Sequence, residues 1–137
     1  MGGEGEAGGE GEEFVQVPQG LKFDADGLVP AVIQDAANGD VLMVGYMNQE
    51  AVERTLSSGR VTFWSRSRQQ FWVKGETSGF TQQVRDVFVD CDQDCLLVRV
   101  EQAGAACHEG YRSCFFRRVR PEGDGLDIVA SPLVDPY

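Results

Sequence analysis

The stretch AVIQDAANGDVLMVGYMNQEAVERTLSSG, residues 31–59, is the most informative about the fold class, because it joins a β-hairpin signal directly to a capped helix. The runs AVIQDA and DVLMVGYM flank Asn38-Gly39, a dipeptide that favours a type I′ hairpin turn, in which both central residues need a positive φ. Asn48 then offers an N-cap for QEAVERTLSS, and Gly59 stands where a helix would end. The stretch predicts two antiparallel strands and one short helix.

Strand signals dominate the rest of the chain. The runs VTFWS and QFWVK enclose the basic turn Arg66-Ser67-Arg68, and TQQVRDVFVD, CLLVRVE and CFFRRV are rich in β-branched and aromatic residues. The segment after Asn48 is the one convincing helix signal. We therefore predict an α+β fold class of mostly antiparallel β-strands with one short helix.

Length and composition fit one domain between two acidic ends. At 137 residues and 42% hydrophobic, the chain is long enough for one modest core. Residues 1–13 hold six glycines and five glutamates, which predicts a disordered tail. Residues 121–137 carry four acidic side chains and no base, which predicts an acidic extension. The domain itself is then expected to span residues 14–120.

The sequence offers no membrane span and no targeting signal. Its apolar runs stay far short of the roughly 18 residues that a span needs. The start, MGGEGEAGGEGEE, lacks the basic and apolar regions of a secretory signal. We therefore expect a cytoplasmic protein without membrane contact, in which the four cysteines are thiols or metal ligands rather than disulfides.

The net charge of −10 belongs mainly to the ends of the chain, and the middle holds a basic patch. Between residues 60 and 85, five basic side chains face one acidic residue, Glu76. Arg66 and Arg68 are predicted to share one side of their strand or turn, where guanidinium groups would suit phosphate oxygens. The alternative is a solvated basic hairpin, and so few bases on an acidic chain argue against nucleic acid. The candidate ligand-binding residues are Trp64, Arg66, Arg68, Lys74, Thr77, Ser78 and Gly79.

The motif DCDQDC, residues 90–95, is a candidate metal site. Its aspartates alternate along the chain, so a turn there would let three carboxylates converge on one hard cation. These aspartates are Asp90, Asp92 and Asp94. The spacing also resembles an EF-hand loop, which we reject because Cys95 stands where that loop needs glycine and the flanks favour strands. A solvated acidic turn remains the alternative.

The four cysteines and the single histidine are the last group of candidate site residues. Zinc takes thiolate and imidazole ligands; a structural site fills four positions, whereas a catalytic site keeps one for water. Cys91 and Cys95 have a spacing that suits a zinc knuckle, so a closed four-cysteine site is one alternative, and buried free thiols are another. His108 directly follows Cys107 and is the side chain best suited to proton transfer near neutral pH.

Four motifs closely resemble, in order and spacing, the phosphoribosyl-AMP cyclohydrolases of histidine biosynthesis: YMNQEAVERTL, FWSRSRQQFWVKGETSG, DCDQDCLLVRV and ACHEGYRSCFFRR. The resemblance covers about residues 28–119. It implies hydrolysis of the N1–C6 bond of the purine ring of 1-(5-phosphoribosyl)-AMP, giving the phosphoribosyl-formimino-AICAR phosphate intermediate, by an intertwined homodimer. The implied roles are magnesium on Asp90, Asp92 and Asp94, zinc on Cys107, Cys114 and a Cys91 from the partner chain, and general acid/base catalysis by His108.

On this resemblance, three thiolates leave one zinc position for a water whose pKa falls toward about 7. The resulting hydroxide would add to C6 while His108 takes up and returns the proton. Two residues depart from the family: Cys95 stands where alanine is usual, and Phe80 where asparagine is expected. The rival from another class is a phosphate- or nucleotide-binding module with a closed four-cysteine zinc. A nucleobase deaminase would need H-x-E and P-C-x-x-C motifs that the chain lacks.

Overall fold

The computed structural model describes residues 17–135, so the predicted tail over residues 1–13 lies outside the described part. The elements are β1 (Val29–Asp35), β2 (Val41–Met47), α1 (Gln49–Ser58), β3 (Thr62–Ser65), β4 (Gln70–Val73), β5 (Gln82–Val89), β6 (Leu96–Gln102), β7 (Arg117–Val119) and β8 (Leu126–Ile128).

The strands form one four-stranded sheet and two small hairpins. The sheet has the order β2-β1-β6-β5, while β3 pairs with β4 and β7 pairs with β8. The pairing of β1 with β6 is parallel, and all other pairings are antiparallel. The predicted α+β class of mostly antiparallel strands with one short helix is confirmed.

The β1–β2 hairpin is confirmed, but the predicted type I′ turn is wrong. Only Gly39 has a positive φ in this loop, at 84°, whereas a type I′ turn also needs a positive φ at Asn38. Two side chains instead cap a longer loop: Asp35 Oδ1 accepts from Ala37 N at 2.8 Å, and Asn38 Oδ1 accepts from Asp40 N at 3.0 Å. Because these carboxylate and amide oxygens satisfy the backbone, one left-handed residue is enough.

The helix begins and ends where the sequence predicts. Asn48 Oδ1 accepts a hydrogen bond from Ala51 N at 2.8 Å, and Gly59 closes the helix with φ 77° and a bond from its N–H to Thr55 O. Ala51, Val52 and Thr55 form its buried face.

Among residues 17–135, no helix is long and apolar enough to cross a membrane.

The core lies between one face of the sheet and the layer formed by α1 and β3. Alternate residues of β1 and β6 are buried, as the pleat of a half-covered sheet requires. Gly45 on β2 admits the ring of Phe63 from β3 so closely that a Cβ there would overlap the ring. This contact sets the position of β3, and with it the β3–β4 hairpin that carries three of the seven candidate ligand-binding residues.

The C-terminal segment contains a strand that the sequence did not reveal. The β7–β8 hairpin spans the expected domain boundary at residue 120, and all but one of its paired residues are exposed. Beyond it, residues 129–134 lie against the loop that contains His108.

Candidate active site

The motif DCDQDC forms a turn between β5 and β6, here called the acidic turn (residues 90–95). Asp90 N donates to Cys95 O at 3.1 Å, and Gln93 N donates to Asp90 O at 3.0 Å. Asp90 Oδ1 also accepts from Asp94 N at 3.0 Å, and Gln93 adopts a left-handed φ of 63°. Because strands flank the turn on both sides, the rejection of an EF-hand is confirmed.

The acidic turn brings three exposed carboxylates together. Oxygen atoms of Asp90, Asp92 and Asp94 lie within 4.8 Å of one another. Within residues 17–135, none of these three aspartates has a basic partner within ion-pair distance. Unpaired carboxylates at this separation repel one another, and a hard divalent cation relieves the repulsion. The all-oxygen donor set therefore fits Mg²⁺, the metal predicted here.

The second group of candidate residues lies on the cysteine loop, residues 106–114. Gly110 N donates to Cys107 O at 2.9 Å, which closes a tight turn with His108 and Glu109 at its tip. Cys107 N donates to Tyr111 O at 3.1 Å, which fixes the base of the same turn. His108 is exposed while Cys107 is buried, so the imidazole faces outward from an anchored backbone.

Cys107 and Cys114 lie side by side at the two ends of this loop. Their thiols are close enough to interact, since desolvation of its sulfur and the neighbouring Cys107 thiol raise the pKa of Cys114 to about 11. Two neighbouring thiols can supply half of a tetrahedral thiolate site, so the pair fits a zinc ion. All four cysteines are free thiols, as predicted for this chain.

One chain brings together two of the three predicted zinc ligands. Within residues 17–135, the only group of three metal-ligating side chains this close is the aspartate trio, so Cys91 does not join Cys107 and Cys114. Cys91 instead lies exposed on the acidic turn. Cys95 is half-buried, with its sulfur directed to Leu96 O at 3.8 Å, and the four cysteines do not form a closed site within one chain.

Lys74 lies in the interior beside the cysteine loop. Its side chain is 6% exposed and its Nζ donates to Ala106 O. Burial lowers the pKa of Lys74, while the Cys114 and Cys107 thiols act in the opposite direction. The basic-patch interpretation treats Lys74 as a surface phosphate ligand, but its ammonium points inward and stabilises the loop carbonyl.

A cleft of about 720 Å³ joins His108 to the β3–β4 hairpin and the turn that follows it. Four predicted ligand-binding residues line this cleft: Arg68, Lys74, Thr77 and Ser78. Gly79 shapes the same turn, since it has φ 84° and donates to Gly75 O at 2.8 Å. The predicted basic and hydroxyl-bearing residues therefore line the same cleft as His108, the only histidine of the chain.

Trp64 and Arg66 lie elsewhere. They line a second cleft of about 560 Å³, where the Arg66 guanidinium stacks 4.2 Å from the ring centroid of Tyr46. Arg66 and Arg68 thus line adjoining clefts, whose walls share Ser65, Ser67 and Trp72. Their assignment to substrate binding remains a prediction.

The sequence did not single out Arg112, which joins the cysteine loop to the β1–β2 hairpin. Its Nη2 lies 2.7 Å from Asp35 Oδ2 and 3.2 Å from Asp40 Oδ2. The hydrogen bond from Arg112 is the main reason that the pKa of Asp35 lies below its usual value. The partners are 77 positions apart in sequence, and only the fold brings them together.

Comparison with known proteins places these features in one family. The family model for phosphoribosyl-AMP cyclohydrolase matches residues 43–116. The phosphoribosyl-AMP cyclohydrolase of Ruegeria pomeroyi is 61% identical over 117 residues, covering 85% of this chain and 97% of that protein. The enzymes of the same name from Cereibacter sphaeroides KD131 and Pelotomaculum thermopropionicum are 59% and 57% identical, each over 85% of this chain and over 97% and 89% of their own lengths.

Proposed function

This chain belongs to the phosphoribosyl-AMP cyclohydrolase family, and we propose that it hydrolyses the N1–C6 bond of the purine ring of phosphoribosyl-AMP, a step of histidine biosynthesis, with His108 as the general acid/base. The observation that carries this proposal is the cleft in which His108 faces Arg68, Thr77 and Ser78, next to the paired thiols of Cys107 and Cys114. Proton transfer, anion binding and metal ligation are thus available within one site.

His108 is well placed for proton transfer. It lies at the tip of a closed turn, exposed to the cleft and directly after a buried cysteine. An imidazole can accept and return a proton near neutral pH, which ring opening needs when the N1–C6 bond breaks. Arg68 and the hydroxyls of Thr77 and Ser78 would hold a substrate phosphate at the opposite wall.

The chain's metal ligands divide between a soft and a hard set. Cys107 and Cys114, with Cys91 of the partner subunit, would hold zinc, which supplies a water ligand whose pKa lies near 7. The aspartates of the acidic turn would hold Mg²⁺ and reduce repulsion between the turn and an anionic substrate. Both sets are available for a metal, because the thiols form no disulfide and the three carboxylates have no ion-pair partner within residues 17–135.

The incomplete thiol set supports the proposal of a homodimer. One chain holds two of the three proposed zinc ligands together, and its Cys91 is exposed on a protruding turn. Exchange of this turn between two copies would complete two zinc sites at once, as an isologous interface requires. We further propose a cytoplasmic enzyme whose catalytic domain spans residues 14–120.

The test is purine ring opening followed by absorbance, with zinc measured in the same samples. We expect His108→Ala to keep its zinc and to lose turnover by at least about 100-fold, because general acid/base catalysis contributes on that scale. Added imidazole should restore part of the rate. Full turnover in His108→Ala, or loss of zinc together with turnover, would contradict the assigned role.

A further inference from the structure

The backbone of the C-terminal segment is tied to the turn that carries His108. Leu133 N donates to Gly110 O at 2.8 Å, and Val134 N reaches the same carbonyl at 3.4 Å. Gly110 is the last residue of the turn and is buried, with φ 90°. A Cβ at this position would overlap Val134 O, so the close approach depends on glycine.

Another main-chain hydrogen bond joins the C-terminal segment to the residues that follow the cysteine loop. Val129 N donates to Phe116 O at 2.9 Å, and the Phe116 ring stacks on Tyr111 with centroids 3.6 Å apart and planes at 3°. Tyr111 in turn accepts from Cys107 N. Residues 129–134, here called the strap, therefore bond to the loop at Gly110 and to the chain just beyond it at Phe116.

The strap lies outside residues 43–116, which the family model matches. Its side chains are exposed, Leu133 at 56% and Val129 at 55%, so apolar burial contributes little to holding it. The contacts that remain are the main-chain hydrogen bonds. They fix carbonyls within and next to the His108 turn, which is what a positioning element requires.

We propose that the strap is a positioning element for the ring-opening reaction: through Gly110 and Phe116 it holds the His108 turn in register with the substrate cleft. The proposal rests on the proposed function, because it assigns the strap to the step that His108 performs. Small displacements of a catalytic group cost rate more than binding. The strap should therefore affect kcat and leave KM nearly unchanged.

The experiment compares Leu133→Pro with Ser131→Pro in the full chain. Leu133→Pro removes the N–H that bonds Gly110 O, whereas the Ser131 N–H donates to no group within residues 17–135, so the second variant controls for proline itself. We expect Leu133→Pro to lower kcat by about 10-fold to 100-fold, with KM within about two-fold. Leu133→Ala keeps the N–H and should retain the wild-type rate.

Two further measurements separate positioning from a structural role. Zinc content should stay at the wild-type level in Leu133→Pro, and hydrogen exchange of the Cys107 and Gly110 amides should accelerate. If Leu133→Pro fails to fold, Pro132→Gly loosens the strap while keeping both donors, and kcat should fall by a few-fold.

A kcat that stays at the wild-type level per zinc-loaded chain would overturn the proposal, as would an equal loss in Ser131→Pro or unchanged amide exchange. Failure of the proposed function would look different. Wild-type protein without ring-opening activity, or an active His108→Ala, would contradict the role of His108, while faster amide exchange would still show that the strap holds the turn.

Discussion

The acidic turn and the cysteine loop both gather metal-ligating side chains, but they are held in different ways. The acidic turn is held mainly by bonds between Asp90, Gln93 and Cys95, with one bond from a distant segment, Lys22 N to Gln93 O at 2.7 Å. The cysteine loop depends on distant parts of the chain: Arg112 pairs with Asp35, and Lys74 donates to Ala106 O. The acidic turn therefore depends mostly on its own residues, whereas the cysteine loop depends on contacts with β1 and with Lys74.

This difference explains why the two sites should respond differently to mutation. Changes in the acidic turn should alter metal binding with little effect on folding, because its carboxylates are exposed and make few contacts. Changes around the cysteine loop should couple folding to activity, because the same residues anchor the loop and the domain. Substitutions in the two regions test this contrast.

Removal of either thiol of the cysteine loop should have the largest effect. We expect Cys107→Ser and Cys114→Ser to lose zinc and to lose turnover by on the order of 10³-fold, because each removes a ligand of the activating metal. Zinc analysis and the ring-opening assay on the same preparation measure both. Cys95→Ala is the control and should keep zinc, since its sulfur lies outside the thiol pair. Loss of zinc in that control would instead favour the closed four-cysteine site.

Asp92→Asn should separate magnesium binding from stability. The variant removes one of three converging carboxylates, and we expect turnover to fall by about 10-fold to 100-fold at limiting Mg²⁺, with partial recovery at high Mg²⁺. In chelator its free energy of unfolding should equal or slightly exceed that of the wild type, because like-charge repulsion decreases. Titration of activity with Mg²⁺ and urea unfolding provide the readouts. A marked loss of stability would show that the acidic turn is not the independent unit described above.

Asp35→Asn should destabilise the protein in a pH-dependent way. The pKa of Asp35 is lowered by its hydrogen bond from Arg112, so its stabilising effect exists above the usual carboxyl pKa and is lost as pH falls through the lowered value. We expect a loss of about 2 kcal/mol at pH 7, shrinking below about pH 4. Urea unfolding at pH 7 and pH 3 tests this. If the difference in free energy of unfolding between the wild type and Asp35→Asn is the same at pH 7 and pH 3, the ion pair is not its cause.

Gln93→Gly should have the smallest effect. Gln93 has a φ of 63°, which glycine adopts without steric cost but with a larger loss of entropy on folding. We expect the stability to change by less than about 1 kcal/mol, with wild-type turnover and Mg²⁺ response. Thermal unfolding and the ring-opening assay check this. A large loss of either would show that the side chain of Gln93 contributes beyond shaping the turn.

Local signals in the sequence predicted most of the elements. The helix between Asn48 and Gly59 was predicted to the residue, because capping depends on side chains next to the backbone groups that they bond. The convergence of the aspartates was predictable for the same reason. The β1–β2 loop was predicted less well, since the preference of Asn38-Gly39 was outweighed by side-chain caps from Asp35 and Asn38.

The features that the sequence did not reveal depend on contacts between distant residues. The inward direction of Lys74 follows from the packing of the β3–β4 hairpin, and the pairing of Arg112 with Asp35 follows from the sheet. The placement of Arg66 beside Tyr46, and of Arg68 in the cleft with His108, depends on how the β3–β4 hairpin packs. The strap has no regular periodicity, so only its bonds to Gly110 and Phe116 reveal it.

The contact between Gly45 and Phe63 has an evolutionary consequence. Because the ring occupies the space that any side chain at position 45 would need, neither position can drift alone. A larger residue at 45 should be accepted only in a background with a smaller one at 63. Since β3 leads directly into the hairpin that forms the cleft, such a paired exchange would also shift the cleft wall. The two positions are expected to be epistatic, and their joint variation would be one way for a lineage to change the shape of the cleft.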